Sequence, residues 1–150
     1  MSEHVFERAF QVSPERRPER ASEQAAAGWL ALYADVECCD VTTTGRRTGR
    51  RHEIEIWFGV IDQTMYLISG NGPTADWFLN LRADPATTVR IDDERWRGSA
   101  RVVDDPDERQ RVGDIMGAKY VWEGDASIGL TYAAWCYDVP AVAIEFSDRG

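Results

Sequence analysis

What most constrains the fold of this chain is a succession of short strand-like runs, each closed by a turn signal. Residues 38–44, 52–60, 65–69, 87–91, 96–103 and 141–146 are rich in β-branched and aromatic side chains. Glycine, proline, aspartate and asparagine punctuate the gaps between them, as in Ile61-Asp62-Gln63-Thr64, Ser69-Gly70-Asn71-Gly72-Pro73 and Asp92-Asp93-Glu94. Runs this short bury nothing alone, and tight turns favour antiparallel neighbours. Helical spacing is confined to four places. Ser22 is placed to cap a helix running to about Tyr33, with Ala26, Trp29, Leu30 and Tyr33 on one face. Thr74 is placed to cap a short helix from Ala75 to about Arg82, ended by Asp84-Pro85. Asp105-Pro106 opens a third, with Val112, Ile115, Met116 and Tyr120 as its apolar stripe. Residues 130–138 suit a fourth, short one. The pattern predicts an α+β, mainly β domain: a small antiparallel barrel with helices packed outside. A chain of 150 residues fits one such domain over residues 21–150. Residues 1–20, broken by Pro14 and Pro18, read as a mobile arm or a flap over a pocket.

Charge and cysteine usage narrow the function classes. A net charge of −9 argues against general nucleic-acid binding, which needs a basic face. Cys38 and Cys39 are adjacent and Cys136 stands apart, with no C-x-x-C pair and only two histidines. Metal-ligand spacings and a disulfide framework are therefore not expected, and reduced thiols point to a cytoplasmic location. The charged N-terminus carries no apolar signal core, and no run approaches the roughly 20 apolar residues of a membrane span. Small-molecule chemistry stays open.

Within this acidic chain, Thr42-Thr43-Thr44-Gly45-Arg46-Arg47-Thr48-Gly49-Arg50-Arg51 places four arginines in six positions. Strand-like runs flank it, so it reads as a turn. Glycine lets backbone N–H groups approach a ligand, and arginine offers a donor fork suited to phosphate or carboxylate. The turn is either an anion site or a solvated hairpin tip. If the charges are exposed, alanine at Arg46 and Arg47 should leave folding nearly intact and weaken ligand binding tenfold to a thousandfold. Along the next run Ile54, Ile56 and Phe58 share a core face, while Glu53, Glu55 and Trp57 share the other, facing solvent or a polar pocket. Trp96 and Trp122 suit either core or a dimer interface.

Three blocks together, Thr42 to Gly49, Ser69-Gly70-Asn71-Gly72 and Trp77-Phe78-Leu79-Asn80-Leu81-Arg82-Ala83-Asp84-Pro85, resemble the deazaflavin-dependent nitroreductase and quinone reductase family. The resemblance runs in order through residues 40–146. It implies a split β-barrel with flanking helices, and coenzyme F420 held at the arginine turn. It implies that Arg46 and Arg47 bind the phosphodiester and acidic tail, and that Thr48 and Gly49 add hydroxyl and backbone donors; the several cations such a tail needs are supplied on the turn by Arg46, Arg47, Arg50 and Arg51. Trp77 and Asn80 fall where the family's short helix meets the cofactor. Ser69 falls where a pocket hydroxyl approaches the ring or substrate, and Tyr120 where the family has a pocket tyrosine. Tyr120 and Ser69 are thus the expected catalytic pair, orienting or supplying a proton after hydride transfer to a small hydrophobic acceptor (a quinone, nitro compound or enone).

The chain departs from the family after the turn. His52 stands where arginine is common and Glu55 where proline is common, on the run that leads to Trp57. His52, Glu55 and Trp57 are included among the expected cofactor contacts, with a structural role for His52 as the alternative. FMN on the same fold, or a non-catalytic ligand binder, remain the alternatives to an F420 enzyme. A homodimer is expected, since many split-barrel relatives pair.

Overall fold

The computed structural model describes residues 28–149. It contains β1 (Cys38–Thr44), β2 (Arg51–Trp57), β3 (Gly59–Ile61), β4 (Thr64–Ile68), β5 (Ala86–Ile91), β6 (Glu94–Val102) and β7 (Ala141–Arg149). The α-helices are α1 (Asp76–Ala83), α2 (Pro106–Lys119) and α3 (Tyr132–Tyr137). The strands form one sheet in the order β2-β1-β5-β6-β7-β4-β3, every pairing antiparallel. Its two edge strands, β2 and β3, are consecutive in the chain and joined only by Phe58. Edges tied by one residue cannot lie on opposite sides of an open sheet, so the sheet rolls into a split β-barrel.

The run predicted over 52–60 is therefore two strands. The alternation of Ile54, Ile56 and Phe58 carries through the break and hides it. At the break the Phe58 ring stays fully buried while its backbone leaves the ladder. Its N–H donates to Tyr120 Oη at 3.1 Å, and its carbonyl accepts from Lys119 Nζ at 2.8 Å. Two-residue turns link β3 to β4 and β5 to β6. Asp62, Asp92 and Asp93 hold positive φ there (56°, 54° and 87°), a conformation aspartate tolerates better than most residues. β6 slips register against β7 between Arg97 and Gly98. A Cβ on Gly98 would stand 2.8 Å from Ile144 Cγ2 and 2.9 Å from the Glu145 carbonyl, so glycine permits the bend.

Val41, Phe58, Met65, Leu67, Val89, Ile91, Trp96 and Ile144 fill the barrel. Trp96 is core, not interface: it is fully buried and stacks on Trp29 at 3.9 Å. A second apolar cluster packs α2 and α3 on the outer wall, with Tyr66, Val112, Met116, Trp135 and Ala143. Trp122 belongs to this cluster, half-buried and edge-on to Trp57 and Trp135.

Helix starts divide by their caps. Asp105 caps α2 as the sequence predicts, accepting the Glu108 N–H at 2.8 Å, with Pro106 in the first turn. Thr74 does not cap α1. It lies in a 3-10 turn (Gly72–Thr74), and α1 starts one residue later than predicted, from Ala75, which offers no side-chain cap. The described part of the predicted N-terminal helix is a 3-10 turn (Trp29–Tyr33) entered through Gly28 at φ 68°, which no α-helix continues through. Its remainder, and the predicted arm over 1–20, lie outside the described residues. No helix among the described residues is long and apolar enough to cross a membrane.

Candidate functional site

The β1–β2 connection is a closed loop. Gly45 N–H donates to the Arg50 carbonyl at 2.7 Å, and Gly49 N–H donates to the Gly45 carbonyl at 2.9 Å. Thr48 Oγ1 accepts the Arg50 N–H at 3.1 Å. Gly49 sits at φ 75°. A Cβ on Gly45 would meet His52 Nε2 at 2.9 Å and the Arg50 carbonyl at 3.2 Å, so the imidazole packs closely onto the glycine and would have to move for any side chain there.

Helix α1 lies across β1 and fastens this turn. Asn80 is 4% exposed, and its Oδ1 accepts both the Arg46 N–H at 3.1 Å and Arg46 Nη1 at 2.8 Å. Its Nδ2 donates to Thr43 Oγ1 at 3.3 Å. Arg46 Nη2 reaches Asp76 Oδ1 at 3.3 Å. Two residues one helical turn apart, Asp76 and Asn80, thus hold one guanidinium.

Between the turn and α1 opens a cleft of about 670 Å³. Arg46, Arg47, Thr48, Arg50, His52, Trp77 and Asn80, all expected cofactor contacts, line it together with Thr43, Gly45, Arg51, Glu53, Ile54 and Asp76. Gly49 belongs to the turn but not to the wall. Four arginines face two carboxylates, and Glu53 points its charge toward Arg90, 3.8 Å away. Among the described residues no carboxylate pairs with Arg47, Arg50 or Arg51. Thr43, Ile54 and Asp76 are additions to the sequence reading. Thr43 pairs with His52 across the two strands, so strand pairing could have found it; the sequence reading put Ile54 on the core face, and Asp76 comes from α1.

The other expected site residues lie elsewhere. Ser69 is fully buried and its hydroxyl donates to the Gly72 carbonyl at 2.7 Å. Tyr120 is buried too, and its oxygen stands 2.6 Å from the Glu37 carbonyl and 3.0 Å from the Phe58 carbonyl. Burial pushes its hydroxyl well above the usual tyrosine range. Trp57 stacks flat on Tyr120 at 4.3 Å, which is why an indole stands on the face of β2 that carries Glu53 and Glu55. Glu55 is exposed and outside the cleft wall. Tyr120, Trp57 and Lys119 instead border a smaller cavity of about 270 Å³ with Asp35, Glu37 and Val121. Burial lowers the Lys119 amine to about 8.

The cleft suits an anionic ligand with a flat ring. It combines three guanidiniums without carboxylate partners among the described residues, a fourth bonded to Asn80, the Trp77 ring and the Ile54 side chain, in a volume ordinary for ligand sites. A polyanionic cofactor tail fits this donor set better than a neutral ligand does.

The family model for F420H(2)-dependent quinone reductase matches residues 20–126. No curated protein matches the chain significantly. Among solved structures, the F420-H2 dependent reductase FDR-A is similar at 19% identity and TM-score 0.56, over 72% of this chain and 93% of that one. A chain solved as a domain-swapped dimer is similar at 20% identity and TM-score 0.56, over 89% and 100%. The heme storage protein HutZ from Vibrio cholerae is similar at 15% identity and TM-score 0.57, over 94% and 96%. At these identities the structural likenesses speak for the fold.

Proposed function

Since the chain belongs to the F420H(2)-dependent quinone reductase family and is an F420-dependent oxidoreductase, we propose that the arginine-lined cleft is where its cofactor binds and that a small hydrophobic acceptor is reduced beside it. The observation that carries this reading is the Asn80 clamp. A solvated hairpin tip needs no buried amide holding one of its arginines in place, whereas an anion site gains from a guanidinium fixed in advance. Arg47, Arg50 and Arg51 neutralise the phosphodiester and acidic tail, and Arg46 is the anchored donor among them. Trp77 and Ile54 supply apolar surface at the inner wall. When bound, the reduced deazaflavin supplies the hydride. The protein's part is to bind, orient and shelter. Ser69 and Tyr120 hold their protons on backbone carbonyls, so we assign the proton that completes reduction to solvent. The acceptor class is a quinone, with nitro compounds and enones as the next to try. A homodimer is part of the proposal, supported by the fold shared with a domain-swapped dimer, and light scattering tests it.

Titration with F420 and separately with FMN, followed by tryptophan fluorescence, tests the cofactor assignment, because Trp77 lies in the cleft wall. Micromolar binding of F420 in preference to FMN is the expected result. Preference for FMN, or binding of neither, overturns it.

A further inference from the structure

Arg46 has two unlike partners. Asn80 is neutral, buried and itself bonded to Thr43. Displacing it would strand the Arg46 N–H and the amide together, so it stays in place whether or not a ligand is bound. Asp76 is the opposite. Its side chain is 88% exposed, against 23% for Arg46, and among the described residues its side chain has one polar partner, Arg46 Nη2 at 3.3 Å. Water replaces such a bond easily. Asn80 therefore sets the direction of the guanidinium, while Asp76 covers the edge that Asn80 leaves free, at the mouth of the cleft. That edge is what an incoming phosphate or carboxylate would take. Asp76 stands in the first turn of α1, where the helix favours a negative charge, so its carboxylate is held near the site without any cap bond of its own.

From this geometry we propose that Asp76 is an internal counter-anion for Arg46, which the anionic ligand must displace on binding. Resting on the cofactor assignment above, it is a specificity device. The displacement costs every ligand that takes Arg46 the same, so a ligand with a single anionic group gains little, exchanging one carboxylate for another. Ligands with several anionic groups still bind, since they also engage Arg47, Arg50 and Arg51.

The test is the Kd of F420 and of inorganic phosphate for the full chain and for Asp76→Asn and Glu53→Gln, read by tryptophan fluorescence at low and at 0.5 M salt. Both variants remove one negative charge from the cleft wall, but Glu53 turns toward Arg90 and not toward the arginine turn. Asp76→Asn should tighten F420 about two- to fivefold at low salt, the range that exposed ion pairs span. It should tighten phosphate by a similar factor, since either ligand displaces the same carboxylate, and both gains should shrink at high salt. Equal gains from Asp76→Asn and Glu53→Gln would make the effect a diffuse field and overturn the counter-anion. No gain, or weaker binding, from Asp76→Asn would overturn it as well, making the carboxylate a support for Arg46. If neither the wild type nor either variant binds F420, the cofactor assignment fails and this inference falls with it. If the wild type binds and only the comparison fails, the assignment stands alone.

Discussion

Tyr120 holds together three backbone groups. Its hydroxyl serves the Glu37 and Phe58 carbonyls and receives the Phe58 N–H, and its ring lies on Trp57. That arrangement braces the break between β2 and β3. Tyr120→Phe should therefore lower stability by about 1–3 kcal/mol, the cost of unmet buried groups, while kcat per folded molecule changes less than threefold. Ser69→Ala should likewise leave kcat nearly unchanged. A hundredfold fall in kcat for either, in the range that general acid–base catalysis contributes, would restore that residue as a proton donor. The site was legible in the sequence where chemistry and chain neighbourhood coincide: the arginine turn with His52, and the segment carrying Trp77 and Asn80. It was not legible where it depends on what a hydroxyl bonds to. Nothing in the local sequence says that Ser69 reaches the Gly72 carbonyl or that Tyr120 spans to Glu37, 83 positions away.

A buried acid adds a polar clamp to the apolar packing that holds helix α2 on the barrel. Glu108 receives two bonds from Arg101 on β6 (2.9 and 2.8 Å) and one from Tyr66 on β4 (2.6 Å). The Arg101 bonds, then those of Tyr66, outweigh burial and hold its carboxyl down at about 2. A carboxyl lower in the fold than in the unfolded chain adds stability above its unfolded value. That stability is lost as pH falls from about 5 through about 2. Glu108→Gln should thus be less stable than the wild type at pH 7, on the order of 2 kcal/mol given that Arg101 is 44% exposed and screened by solvent. The two should converge near pH 2, and urea denaturation across that range measures the gap. A gap that stays constant with pH would mean packing, not charge, carries the difference. The element itself was plain in the sequence, because Asp105-Pro106 and the apolar stripe are local signals. The clamp was not, since Arg101 and Tyr66 arrive from strands whose order only the closed sheet sets.

At the scale of the whole molecule, a chain of net charge −9 gathers four unlike-placed arginines at one mouth, and their burial decides what each does. The barrel was legible from the strand runs, but its closure was not, because Phe58 keeps the inward alternation while its backbone leaves the ladder. The same folding that closes the sheet brings α1 onto the turn and separates Arg46 from its neighbours. Alanine at both Arg46 and Arg47 was expected to spare folding. The structure corrects that for Arg46, which is 23% exposed and bonded to a buried amide, and leaves it standing for Arg47, which is exposed. Arg46→Ala should destabilise the ligand-free protein by about 1–3 kcal/mol, because Asn80 loses a charged donor in a buried setting. Arg47→Ala should change it by less than about 0.5 kcal/mol. A ligand at a hundred times its Kd adds about 2.7 kcal/mol to the wild type, which raises Tm by several degrees. Both variants should lose most of that increment. Thermal unfolding with and without F420 therefore separates the two roles: a lower starting Tm and a smaller shift for Arg46→Ala, an unchanged start and a smaller shift for Arg47→Ala. Equal starting Tm values would mean that the clamp contributes nothing to the fold, and full shifts in both would take the ligand away from the arginine turn.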